Sequence, residues 1–255
     1  MSIFSANKIL KTYQGSPVIE DVSLELNRGE VVCLLGASGI GKTTLFNVMS
    51  GLEAPDEGEV FLEGVDITAQ PGNVSYMLQK DLLMPYKTVI DNVAIPLVLK
   101  GENKKVAREI ASEFFDKFGL KGYENFYPNQ LSGGMRQRAA LLRTYLNHKE
   151  VVLLDEPFSA LDSLTKMEMH RWFLEIFSQL NISAIFITHD IDEAIFLSDR
   201  IYIMSGRPGK ITYELTVPYE RPREIDFYTS PVFNHCKKEI LSNLKCIDLI
   251  SKSRL

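Results

Sequence analysis

Between Ile3 and Leu26 apolar and polar residues alternate, most plainly where Val22, Leu24 and Leu26 stand against Ser23 and Glu25, and the run Gln14-Gly15-Ser16-Pro17 interrupts the alternation. This predicts two short strands folded into a hairpin. The pattern then changes: Val31-Val32-Cys33-Leu34-Leu35 is apolar without a break up to Gly36, and Val151-Val152-Leu153-Leu154 and Ala184-Ile185-Phe186-Ile187 have the same character. Continuous runs of this length predict strands buried on both faces, as in the middle of a parallel sheet. Helical patterns such as 163–180 lie between or after them, so the fold class expected is α/β with a mostly parallel sheet beside an N-terminal antiparallel β layer. From about 80 to 148 the pattern is mostly helical, with Val106, Ile110, Phe114 and Phe118 recurring at helix spacing, and predicts a helical subdomain inserted into the α/β body. Past Arg200 come short strands over 201–204 and 210–217, a proline-rich stretch at Pro218 and Pro222, and a last helix over about 231–249.

The chain of 255 residues is long enough to bury a sizeable core without disulfides or metals, and it shows no internal repeat. No window approaches the roughly 20 consecutive apolar residues of a membrane span, so any membrane role is expected to be peripheral. A net charge of −5 disfavours a nucleic-acid partner, because binding a phosphate backbone needs clustered Lys and Arg. The three cysteines, Cys33, Cys236 and Cys246, have no metal-like spacing; an odd count without a signal peptide leads us to expect a reducing, cytoplasmic setting.

The strongest chemical signal follows the first buried strand. Gly36-Ala37-Ser38-Gly39-Ile40-Gly41-Lys42-Thr43 matches G-x-x-x-x-G-K-[ST] between a strand and a helix expected over 42–49, the context this phosphate loop requires. Its glycines let backbone N–H groups close around phosphate oxygens, and the helix directs its positive end at the same anion. Lys42 is expected to reach the β- and γ-phosphates, Thr43 to offer its hydroxyl to Mg²⁺ and Thr44 to help hold the α-phosphate. A plain glycine-rich connection is the alternative, and the correct flanks argue against it.

Asp155 and Glu156 end another buried strand, at the edge where open α/β sheets bind ligands. Asp155 is the candidate Mg²⁺ partner and Glu156 the candidate to polarise an attacking water; in isolation the pair would serve equally to begin a turn. Leu131-Ser132-Gly133-Gly134 opens a further helix, with Ser132 a good N-cap and two glycines leaving the first N–H groups uncovered. That start is either an ordinary capped helix or a second anion site.

The phosphate loop at 36–43, LSGG at 131–134 and VVLLDE at 151–156, in this order and at these separations, resemble the nucleotide-binding subunits of ABC transporters over nearly the whole chain. The resemblance implies one ATPase domain over 1–255, with the helical subdomain and the C-terminal helical tail as parts of it. It implies two ATP molecules sandwiched in a head-to-tail dimer, of two copies of this chain or of one copy with a relative, each ATP held by the phosphate loop of one subunit and by Ser132, Gly133 and Gly134 of the other. It further implies that Tyr13 stacks on adenine, that Gln79 senses Mg²⁺ and the attacking water, that Ser159-Ala160-Leu161-Asp162 crosses the dimer interface, and that His189 contacts the γ-phosphate. Separate transmembrane permease subunits and an extracytoplasmic solute-binding protein complete the implied system at the cytoplasmic face of the membrane; Leu83, Tyr86 and Val89 are candidates for the permease contact near Gln79, with core packing of the helical subdomain the alternative for each.

Two departures stand out. Thr43 takes the place of the commoner Ser and keeps the hydroxyl, while Met135 stands where Gln is usual. LSGGM-R-Q-R, together with 204–211 and 229–233, is similar to importers of nitrate, sulfonates, taurine and thiamine-precursor pyrimidines. The chain lacks the coiled-coil insertion of chromosome-type relatives and the second cassette of translation-factor types, and the LSGG helix has no role in a phosphate-loop kinase.

Overall fold

The computed structural model describes residues 2–221 and 223–252, with 245–252 described by backbone alone, so Pro222 and the side chain of Cys246 lie outside the described residues. The alternating N-terminal segment forms β1 (Ser2–Tyr13) and β2 (Ser16–Asn27), each of 12 residues and longer than the short strands expected. Gln14 (φ 52°) and Gly15 (φ 77°) close the hairpin between them. The continuous apolar run is β3 (Val31–Gly36), buried at every position, and it leads through the glycine loop into α1 (Lys42–Met49). Two strands without a clear sequence signal follow, β4 (Glu57–Leu62) and β5 (Val65–Asp66), which complete an antiparallel sheet of order β2-β1-β4-β5.

After β6 (Ser75–Met77) the chain enters the helical insert, made of α2 (Val89–Val93), α3 (Ile95–Leu99), α4 (Lys104–Ser112) and α5 (Gly133–Tyr145). It returns through β7 (Val151–Asp155), α6 (Ser163–Gln179), β8 (Ser183–Thr188), α7 (Ile191–Leu197), β9 (Arg200–Ser205), β10 (Lys210–Thr216) and α8 (Pro231–Lys252). The second sheet has the order β10-β9-β3-β8-β7-β6, and every neighbouring pair in it is parallel except β10 with β9.

The unbroken apolar runs have a direct explanation in this packing. Val32 and Leu34 of β3 face a core shared with the antiparallel sheet and α1, whereas Val31, Cys33 and Leu35 face a second core under the helical insert, α6 and α7. Both faces of the strand are dry, so alternation would leave a polar side chain unpaired.

In α4 the buried face lies one residue away from the expected stripe. Ala107 and Ala111 are fully buried and Phe115 beyond the helix continues that line; of the expected residues Phe118 is buried, while Val106 is exposed and Ile110 and Phe114 are only half-buried. Small side chains there let α4 pack closely on α2 and α3. Among the described residues no helix is long and apolar enough to cross a membrane.

Candidate functional site

The carboxyl ends of β3, β6, β7 and β8 lie side by side in the parallel sheet and deliver Gly36, Met77, Asp155 and Thr188 to one edge. The glycine loop at the end of β3 could not be built from other residues: Gly41 has φ 105°, and a Cβ there would lie 2.5 Å from Cγ2 of Ile19. No side chain caps α1, which leaves its first N–H groups for an anion. Lys42 is buried, and its Nζ donates to the carbonyls of Gly36 at 2.7 Å and Ala37 at 2.8 Å, so the ammonium lies along the loop it serves. Burial lowers its pKa, while the charges of Glu156 and Asp155 pull the other way. Ala37, Ser38, Gly39 and Thr43 are exposed along the loop and the first turn of α1, and Ile40 is half-buried against the smaller core.

Thr43 Oγ1 donates to Asp155 Oδ2 at 3.0 Å, which joins the first turn of α1 to the end of β7. Burial raises the Asp155 pKa, against the bond from Thr43; Tyr76, on β6, has its phenol pushed up by burial and by the Asp155 charge. The next residue, Glu156, has φ 45°, and its N–H donates to the carbonyl of Ile187 at 3.1 Å. That bend turns its carboxylate toward two neighbours. Gln79 Nε2 donates to Oε2 at 3.2 Å, and His189 Nδ1 lies 3.3 Å from Oε1. One carboxylate therefore holds side chains that follow β6 and β8 on either side of its own strand.

The remaining expected residues fall into two groups. Tyr13 stands at the end of β1, 42% exposed rather than in the hairpin core, with its hydroxyl bonded to Glu53 and close to Thr44. Ser132 caps α5, its Oγ accepting from Met135 N at 3.3 Å, and Gly134 packs against α6, where a Cβ would approach Cγ2 of Thr165 to 3.2 Å. Asp162 caps α6, accepting from Leu164 N at 3.2 Å, Thr165 N at 3.1 Å and the Thr165 hydroxyl at 2.6 Å. Among the described residues no hydrogen bond joins Ser132, Gly133, Gly134 or Asp162 to the phosphate loop.

Of the residues expected near a membrane partner, Leu83 and Val89 are buried in the larger core, so only Tyr86 (74% exposed) is free to meet anything. Elsewhere on the helical insert an open groove of about 330 Å³ is lined by Tyr76, Leu99, Lys100 and Arg143 among others, and Arg143 donates to the Leu82 carbonyl at 2.9 Å. Tyr76, Glu53 and this groove had no motif to flag them; their partners come from distant parts of the chain.

The model of the family described as ABC transporter matches residues 19–159, more than half of the chain. The chain belongs to the ABC transporter family. It is an ATP-binding protein and an ATPase coupled to transport. Among relatives of this ABC ATPase, the formylaminopyrimidine import ATP-binding protein of Halalkalibacterium halodurans is 44% identical over 211 residues, covering 83% of this chain and 82% of that one. The aliphatic sulfonates import ATP-binding protein of Bacillus cereus is 39% identical over 238 residues, 92% of each. Among solved structures, the ATP-binding cassette MJ0796, dimeric in a post-hydrolysis state with ADP and Pi, is 28% identical with a TM-score of 0.73, covering 85% of this chain and all of that one.

The Thr43 hydroxyl and the Asp155 carboxylate, in mutual contact, are the oxygen donors a Mg²⁺ ion prefers. Among the described residues no three His, Cys, Asp or Glu side chains gather as a metal cage, so phosphate and water oxygens would complete such a site, as is usual for Mg²⁺.

Proposed function

We propose that this ABC ATPase energises the import of a small solute, working as a dimer of two identical copies at the cytoplasmic face of the membrane beneath separate permease subunits and an extracytoplasmic solute-binding protein. The relatives' names support the direction of transport, and with the sequence resemblance they point to a small anion of the nitrate, sulfonate or taurine kind or to a thiamine-precursor pyrimidine as cargo. The observation that carries the mechanism is the grip of Glu156 on both Gln79 and His189.

In this reading Tyr13 stacks on adenine, and Gly36 to Gly41 and Thr44 surround the phosphates with N–H and hydroxyl donors. Lys42 leaves the loop carbonyls for the β- and γ-phosphate oxygens, whose negative charge also keeps its ammonium protonated. Thr43, Asp155 and Gln79 would hold Mg²⁺, which would supply neutralisation of phosphate charge during transfer. Glu156 accepts a proton from the attacking water, and its contact with Gln79 orients that water. His189 moves from Glu156 to donate to the γ-phosphate, where charge develops. Ser132, Gly133 and Gly134 of the second copy close over the same phosphates with helix N–H groups, and Asp162 stands at the seam. ATP then favours the closed dimer because these contacts exist only when two copies meet. Tyr86 and the groove lined by Leu99 and Arg143 receive a permease segment.

The test is Glu156→Gln. The variant should retain ATP, turn it over at least about a hundred-fold more slowly, and elute as an ATP-dependent dimer in size-exclusion chromatography. A monomer under saturating ATP without Mg²⁺ would overturn the sandwich.

A further inference from the structure

Next to the catalytic edge lies a buried ionic cluster that the proposed chemistry does not use. Glu193, in the first turn of α7, is 3% exposed, and its Oε2 accepts from Thr188 Oγ1 at 2.6 Å. The same Thr188 oxygen accepts from Asp190 N at 3.0 Å, so a single carboxylate orders both residues flanking His189. On its other side Lys166 Nζ lies 2.7 Å from Oε1 of Glu193 and 3.5 Å from Oδ2 of Asp190. His170, one turn further along α6, faces Oε1 with its Nε2 at 3.6 Å and meets the Tyr228 hydroxyl with its Nδ1 at 3.2 Å.

The C-terminal segment reinforces the cluster from outside. Tyr228 stacks on Phe196 of α7 at 4.4 Å, and Arg223, 2% exposed, donates to the carbonyls of Ile195, Phe196 and Ser198 at the end of that helix. A buried ion pair is a weak source of stability compared with apolar packing of the same volume, but it fixes the separation of the groups it joins. Burial alone would raise the Glu193 pKa; His170, Lys166 and Thr188 outweigh it and hold the group at about 2.

We infer that Glu193, held by Lys166 and His170, is a positioning residue for His189: it sets the backbone on both sides of the histidine and so the approach of the ring to Glu156 and the γ-phosphate. The inference rests on the role proposed for His189. Lys166 also follows Thr165, the residue against which Gly134 packs, so one turn of α6 touches the helix start that receives the second copy's nucleotide and the clasp that holds the histidine. Neither Lys166 nor Glu193 is placed to touch substrate.

The experiment measures ATP turnover by the full chain. Lys166→Met should lower kcat about ten-fold with the KM for ATP changed less than about two-fold, and Lys166→Arg should restore most of the loss. Thr188→Val, nearly isosteric, should reproduce the kcat loss and Thr188→Ser should not. On a His189→Ala background, read in single turnover, Lys166→Met should add nothing, because both changes remove the same contribution. If His189→Ala turns over like the wild type, the histidine's role and the inference fail together. If His189→Ala is slow while Lys166→Met and Thr188→Val keep wild-type kcat, or if the Lys166 and His189 losses simply add, the positioning inference alone is overturned.

Discussion

Two helix starts on this chain are shaped for anions, and they differ in what surrounds them. The start of α1 stands within a bonded set: Lys42 lies on its own loop, Thr43 on Asp155, and Gln79 and His189 on Glu156. The start of α5 is framed by its Ser132 cap, by Leu161 beside Gly133 and by the flank of α6. Parallel strands ending in register assemble the first half without outside help, because adjacent strand ends lie about 5 Å apart. The second half has donors and no chemistry within reach. If the two starts form one site as proposed, bond breaking falls under the control of whatever brings the open half to the bonded one.

The sharpest way to break this comparison is to obstruct the open half alone. Ser132→Arg should reduce turnover by about a hundred-fold or more, comparable with loss of a transition-state donor, while the isolated chain still binds nucleotide normally in a fluorescence titration. Weakened binding by the isolated chain would show that the two regions are not separate.

The bonded half should also reveal itself through acid sensitivity. Glu193 is held at about 2, below its ordinary 4.5, so its ion pairs stabilise the folded chain above the ordinary value and lose that effect as pH falls toward the lower one. In urea unfolding, the wild type should exceed Glu193→Gln by up to about 3 kcal/mol at neutral pH, and the gap should narrow from pH 5 downward. A gap that stays constant into that range would contradict the assignment. The stability difference between the wild type and Ser132→Arg should show no such pH dependence.

The smallest effect belongs to the rim of the bonded half. Tyr13→Ala should weaken nucleotide binding by roughly 1 to 3 kcal/mol, the usual worth of an aromatic ring stacked on a base. Unchanged affinity would limit Tyr13 to its bond with Glu53.

How much of this was readable in advance depended on how local each cause is. The span of α1 was legible because glycine loop and helix share one motif, and β3, β7 and β8 because strands dry on both faces leave an unbroken apolar run. β4 was not, since Glu57, Gly58 and Glu59 carry little alternation and the strand exists by pairing with β1. The phase of α4 was not legible because its tight contact is made by the small Ala107 and Ala111 rather than by the larger Val106 and Ile110. For Leu83 and Val89 the sequence left a partner surface and core packing both open, and both residues fill the core. The clasp around Glu193 draws on residues 166, 170, 188 and 228, which only the fold brings together.

The backbone at Glu156 carries a last consequence. Its φ of 45° lies where glycine or asparagine rests more easily than a longer side chain. Such a residue costs on the order of 1 kcal/mol, so a library sorted only for heat tolerance should drift toward glycine or asparagine here. On the role proposed for Glu156, the survivors would be hardier proteins that have lost their engine, and a thermostability campaign on this chain would have to select for work done as well as for survival.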